Sequence, residues 1–114
     1  MGISFYRWDE VAGQEVTPRV RRKAIAGEGL MLLRVEIEPG GCVAMHVHPN
    51  EQFGYVLEGQ IRFCLEGGEC VLGTGEVYHI PPNAGHEVEA MGDEKAVILD
   101  VFHPVREELL ARDG

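Results

Sequence analysis

Three side chains between Gly40 and Gly59 could share one ion: His46 and His48, two residues apart, and Gln52, four residues further on. Side chains alternate along a β-strand, so histidines at i and i+2 project from one face and can reach a common cation. A helix would need a spacing of three or four. A third imidazole, His86, opens the strand-like segment HEVEA after a turn rich in Pro and Gly. Three imidazoles and one amide oxygen suit one divalent transition metal, with Zn, Ni, Mn and Fe all compatible. Gly54 leaves the next position on the Gln52 face without a side chain. A one-residue slip would present Glu51 instead of Gln52, so Glu51 stands as the rival fourth ligand. His79 and His103 fall off this pattern and are not expected to bind the ion.

The elements that must position these groups are short. Beyond Pro18 the chain runs through LMLLRVEIEPGG, FGYVLEG, IRFCLEGG, CVLGTGE, VYHIPPN, HEVEA and KAVILDVF, each bounded by glycine or proline. That pattern predicts an all-β sandwich or small barrel, which also removes exposed sheet edges. Pro39, Gly40 and Gly41 turn the chain into the His46 strand, and Gly59 closes the following hairpin. Gly75 begins a strand ending at Pro81 and Pro82, and a turn from Asn83 to Gly85 delivers His86. The tail PVREELLARDG predicts at most one short helix after Pro104.

In KAVILDVF, period two places Ile98, Asp100 and Phe102 on one face and Val97, Leu99 and Val101 on the other. An acid on an apolar face invites a role in proton transfer, since burial raises its pKa while a nearby cation lowers it. Asp100 is the candidate general acid/base, with a structural ion pair to Arg34 or Arg62 as the alternative. Phe102 fits either the core or a pocket wall, and Arg106 either a ligand contact or the solvated surface. Phe53, Tyr55 and Leu57, on the face opposite Gln52, read as sheet packing.

The 114 residues predict a single domain, 1–114, with one modest core. Hydrophobic residues at 45% and charged residues at 25% place it among folded globular chains and not disordered ones. A formal charge of −9 disfavours general attraction to nucleic acid or to anionic membrane surfaces. No apolar run reaches the roughly 20 residues of a membrane span, and MGISFYRWDE lacks a signal-peptide core, so the expected location is cytoplasmic. Cys42, Cys64 and Cys70 form no CxxC pair and read as small packing residues. A turn at Gly67 and Gly68 would place Cys64 and Cys70 on opposite sheet faces.

These residues resemble the two motifs of the cupin family. Gly40, His46, His48, Gln52 and Gly59 fall in the register of GxxxxxHxHxxxExxxxxxG, with glutamine for glutamate. Gly75, Pro81 and His86 match GxxxxxPxGxxHxxxN, with Asn83 for the glycine and Ala90 for the asparagine. The resemblance implies a double-stranded β-helix, or jelly-roll, barrel. Within the cupins, HVHPNEQFGYVLEG, PPNAGHE and ILDVFHPVREELL look like the KdgF family of pectin-degradation proteins, in which Gln commonly replaces the Glu.

That likeness implies metal ligation by His46, His48, Gln52 and His86, with Asp100 and Phe102 in the active site and Arg106 near the substrate. His103 sits where that family commonly has threonine. The implied reaction opens a 4,5-unsaturated uronate monosaccharide and tautomerises its enol to a linear ketone, without oxidation. A neutral amide among neutral imidazoles leaves the ion's charge uncompensated, a stronger Lewis acid for polarising oxygen and holding a carboxylate. Arg106 could grip that carboxylate bidentately. Two rivals remain: a small dioxygenase-type cupin using a redox metal, and a non-catalytic sugar-binding or regulatory cupin. Small cupins commonly pair through their sheets, so a homodimer is expected.

Overall fold

The computed structural model describes residues 2–110. Its strands are β1 (Gly13–Thr17), β2 (Val20–Ala26), β3 (Met31–Ile37), β4 (Cys42–His46), β5 (Glu51–Glu58), β6 (Gln60–Leu65), β7 (Gly68–Gly73), β8 (Val77–Ile80), β9 (His86–Met91) and β10 (Ala96–His103). They form a six-stranded sheet in the order β1-β2-β3-β10-β5-β8 and a four-stranded sheet in the order β4-β9-β6-β7. All pairings are antiparallel. Among the described residues, helix is limited to two single 3-10 turns, Trp8–Glu10 and Glu107–Leu109, and no helix is long and apolar enough to cross a membrane.

Alternation explains the strands. In β3, Met31, Leu33, Val35 and Ile37 are buried while Leu32, Arg34 and Glu36 are half-buried. Each large apolar side chain taken from water contributes about 1.5–3 kcal/mol, enough for one such row to fix which face turns inward. Ile61, Phe63, Val88 and Ala90 from the second sheet meet Val56, Ile80, Ile98 and Phe102 from the first in one core. Five buried polar residues interrupt these inner surfaces or lie beside them: Gln52, His86 and Asp100 on strands, and His48 and Asn50 between β4 and β5. Burying polar groups is costly unless something binds them, so their clustering marks a site.

Several expectations change. The hairpin β1–β2 was not among the expected strands, because VRRKAIA carries three cations in its first half and hides its alternation. The strand bearing His46 ends there, after an irregularity between Val43 and His46, so His48 sits on the connection to β5. The β6–β7 turn is centred one residue earlier than Gly67–Gly68: Leu65 pairs with Gly68, Cys64 with Glu69 and Phe63 with Cys70. Cys64 and Cys70 still face opposite ways, but Cys42 and Cys70 are exposed and Cys64 is half-buried, so the thiols are not core packing. Phe53, Tyr55 and Leu57 are exposed on the outer face of β5. The expected tail helix is reduced to the turn at Glu107–Leu109, which seats Leu109 in the core; its last four residues lie outside the described residues.

Candidate metal centre and cavity

His46, His48 and His86 converge from β4, the loop after it and β9, with candidate ligand atoms all within 4.8 Å of one another. His46 and His86 face each other as register partners, their ring centroids 4.2 Å apart. Each ring is held in the same way. Nδ1 of His46 lies 2.8 Å from the Ala44 carbonyl, that of His48 3.1 Å from the Asn50 carbonyl, and that of His86 2.9 Å from the Ala84 carbonyl. A carbonyl only accepts, so each Nδ1 carries the proton and each Nε2 keeps its lone pair. This carbonyl support is what orients imidazoles that bind metals.

Gln52 lies beside these rings. Its Oε1 stands 2.9 Å from His48 Nε2, and with that nitrogen unprotonated two acceptors face each other. A cation between such lone pairs turns repulsion into attraction, so these residues fit a divalent metal. Burial pushes His86 down to about 4, opposed by its bond to Ala84 and reinforced by the nearby charges of His46, His48 and Arg106. Burial lowers His48 as well, followed by the Arg106 charge. A ring that stays neutral at pH 7 keeps its lone pair for a ligand.

Glu51 and Gln52 take opposite faces of β5. Glu51 points out of the sheet, where its Oε2 meets His79 Nε2 at 2.8 Å. Gln52 is buried beside the imidazoles. His103 also lies apart, its Nδ1 on the Gly29 carbonyl at 2.6 Å. Two backbone devices place the loops. Asn83 has φ 67°, a left-handed conformation that asparagine tolerates better than most residues, which explains why it can stand where the motif has glycine. Its N–H donates to the His48 carbonyl at 2.8 Å, fastening the turn before His86 to the chain bearing His48.

Beside the histidines lies a cavity of about 310 Å³, within the usual size of a small-molecule site. Asp100, Phe102 and Arg106 line it together with His46, His86 and Gln52. Asp100 pairs with neither Arg34, which binds Glu36, nor Arg62, which binds Glu89. Burial raises its carboxyl to about 6, against hydrogen bonds from Tyr78 and Gln52 and the charge of Arg106. Phe102 stands edge-on to His48 at 5.5 Å and carries the Arg106 guanidinium 5.1 Å above its ring. Arg106 is therefore half-buried at the cavity instead of on an open tail; its buried Nε has no hydrogen-bond partner among the described residues, with Glu108 Oε1 3.9 Å away.

Two polar lining residues escaped the sequence reading. Tyr78, on β8, donates its hydroxyl to Asp100 Oδ1 at 2.5 Å, and burial first, then Asp100, holds its phenol well above the usual value. Arg22, on β2, adds a second guanidinium, its Nε donating to Gln14 Oε1 at 2.9 Å. Periodicity gives some signal for Tyr78, since it lies two before buried Ile80; Arg22 in a run of three cations gives none.

Two sheets enclosing a histidine cluster define the class, and residues 33–102 match the cupin domain. The chain belongs to the cupin family. It is similar to the pectin degradation protein KdgF of Dickeya dadantii (strain 3937), with 31% identity over 104 residues, covering 90% of this chain and 94% of that protein. The solved structure of KdgF from Halomonas sp. matches with a TM-score of 0.84 at 33% identity, covering 94% of this chain and 100% of that one. An RmlC-like cupin from Shewanella frigidimarina NCIMB 400 matches with a TM-score of 0.86 at 22% identity, over 96% and 97% of the two chains, and bears on the fold alone.

Proposed function

We propose that this chain is a metal-dependent enzyme of pectin or alginate breakdown that converts 4,5-unsaturated uronate monosaccharides to the linear keto form. The observation that carries this reading is the arrangement of three carbonyl-braced imidazoles and Gln52 beside a cavity containing a buried, protonatable Asp100. Similarity to two KdgF proteins along nearly the whole chain supports the substrate class. The proposed ligands are His46, His48, Gln52 and His86, and a bound divalent ion, with Zn, Ni, Mn and Fe all open, would supply Lewis-acid polarisation of substrate oxygen.

The chain's own groups do the rest. Arg106, seated over Phe102 at the cavity wall, binds the substrate carboxylate with charge-assisted hydrogen bonds. Phe102 forms the apolar wall that keeps water from the reacting carbons. Asp100, raised to about 6, can accept and return a proton near neutral pH. It takes the proton of the anomeric hydroxyl as the carbonyl forms and the bond from the anomeric carbon to the ring oxygen breaks. That oxygen, now an enol, gains the proton, and its later transfer to C4 gives the ketone. Atoms and oxidation state are conserved, so no electron acceptor is required.

The reading carries with it a single 1–114 domain, a cytoplasmic location and a homodimer, the last testable by sedimentation. Its direct test is loss of the ultraviolet absorbance of an unsaturated uronate with purified, metal-loaded protein. Acceleration over buffer that disappears in Asp100→Ala supports the proposal; absorbance decay no faster than in buffer ends it. Oxygen uptake by iron-loaded protein would favour the dioxygenase reading, and binding without turnover the non-catalytic one.

A further inference from the structure

We propose that Tyr78 is a positioning residue of this site, reaching across the empty Gly54 position to fix the Asp100 carboxylate toward the cavity. The inference rests on the function proposed above and adds a residue to its machinery. Asp100 on β10 pairs with Gly54 on β5, and Gly54 pairs with Tyr78 on β8. The three residues form one row across three adjacent strands. Neighbouring strands stand about 4.8 Å apart, so Asp100 and Tyr78 start two spacings apart with the middle position between them.

Any side chain in the middle would block the lane. A Cβ added at Gly54 would overlap the Tyr78 ring, with Cζ, Cε2 and the hydroxyl oxygen as its nearest neighbours. Glycine here makes room for the phenol, whose hydroxyl arrives 2.5 Å from Asp100 Oδ1. Phe63, from the opposite sheet, packs against the ring with centroids 4.7 Å apart and backs it. The ring is thus held on one side by β5 and on the other by Phe63. Neither Arg34 nor Arg62 is available to orient the carboxylate, since each is engaged with a glutamate.

Tyr78→Phe removes one oxygen and keeps the ring packed. In metal-loaded protein it lowers kcat on the unsaturated uronate about 10- to 100-fold, the scale of one hydrogen bond to a charged group, while KM and bound metal hold. Gly54→Ala displaces the ring and gives a similar loss in the parent, but adds nothing in a Tyr78→Ala background, where the lane is free. Crystal structures give a readout independent of turnover: one Asp100 carboxylate orientation in the parent, and a reoriented or divided one in Tyr78→Phe. Unchanged kcat in Tyr78→Phe, or an unchanged Asp100 orientation, overturns the proposal. If the parent itself fails to turn over the uronate, the assigned function falls, and the crystallographic comparison still decides the role of Tyr78.

Discussion

Asp100→Asn should stabilise the metal-free protein while abolishing its chemistry. Burial moves the Asp100 carboxyl from the usual 3.8 to about 6, net of the hydrogen bonds and the arginine that oppose it. At 1.36 kcal/mol per pH unit, the ionised folded protein carries a penalty of about 3 kcal/mol. The folded state binds the extra proton between those two values, so stability falls as pH rises from about 4 to about 6 and then levels. Asparagine retains an oxygen to accept from Tyr78 and never ionises. The difference between variant and parent should therefore be near zero below pH 4 and grow to about 3 kcal/mol in favour of the variant at pH 7. Urea unfolding of chelator-treated protein from pH 3.5 to 8 measures it, with all other titrations cancelling in the difference. Adding zinc should shrink the gap, since a cation favours the carboxylate. A difference that is flat with pH, or that favours the parent at pH 7, would refute the assignment of a buried, reluctant acid.

The other expectations concern the ligands and the substrate. Zinc or nickel at one hundred times its Kd should stabilise the parent by about 2.7 kcal/mol, and His86→Ala should lose most of that gain in thermal melts read with and without metal. Glu51→Ala should leave metal affinity unchanged by isothermal titration, because its carboxylate lies outside with His79; a large loss would restore Glu51 as the ligand. Arg106→Gln should raise KM for the unsaturated uronate about 10- to 100-fold, the equivalent of one charge-assisted hydrogen bond, with metal content unchanged.

Close spacing made His46 and His48 legible as a pair, although β4 ends at His46 and His48 converges from the loop beyond it, while His86 joins them only through the pairing of β9 with β4. The burial of Asp100 and Phe102 followed from period two within a single strand. Tyr78 was harder to see because its role depends on the registers of three strands, which join residues 54, 78 and 100. Gly54 was visible as a gap, but what fills the gap comes from another strand. Strand β2 was hidden by Arg21, Arg22 and Lys23, whose long apolar stems let cations sit on a partly buried strand. The apolar run Phe53, Tyr55 and Leu57 alternates as inner residues do, and only the burial of Gln52, Gly54 and Val56 shows which set turns inward.

Tyr78 sits on β8, a four-residue strand at the margin of its sheet, paired among the described residues only with β5. Such a strand opens at a lower free energy than the ladders in the middle of the sheet. Partial detachment would withdraw the phenol while leaving the three imidazoles in place. Mild denaturant should therefore silence turnover before it releases the ion, making catalytic competence more fragile than either metal retention or the fold.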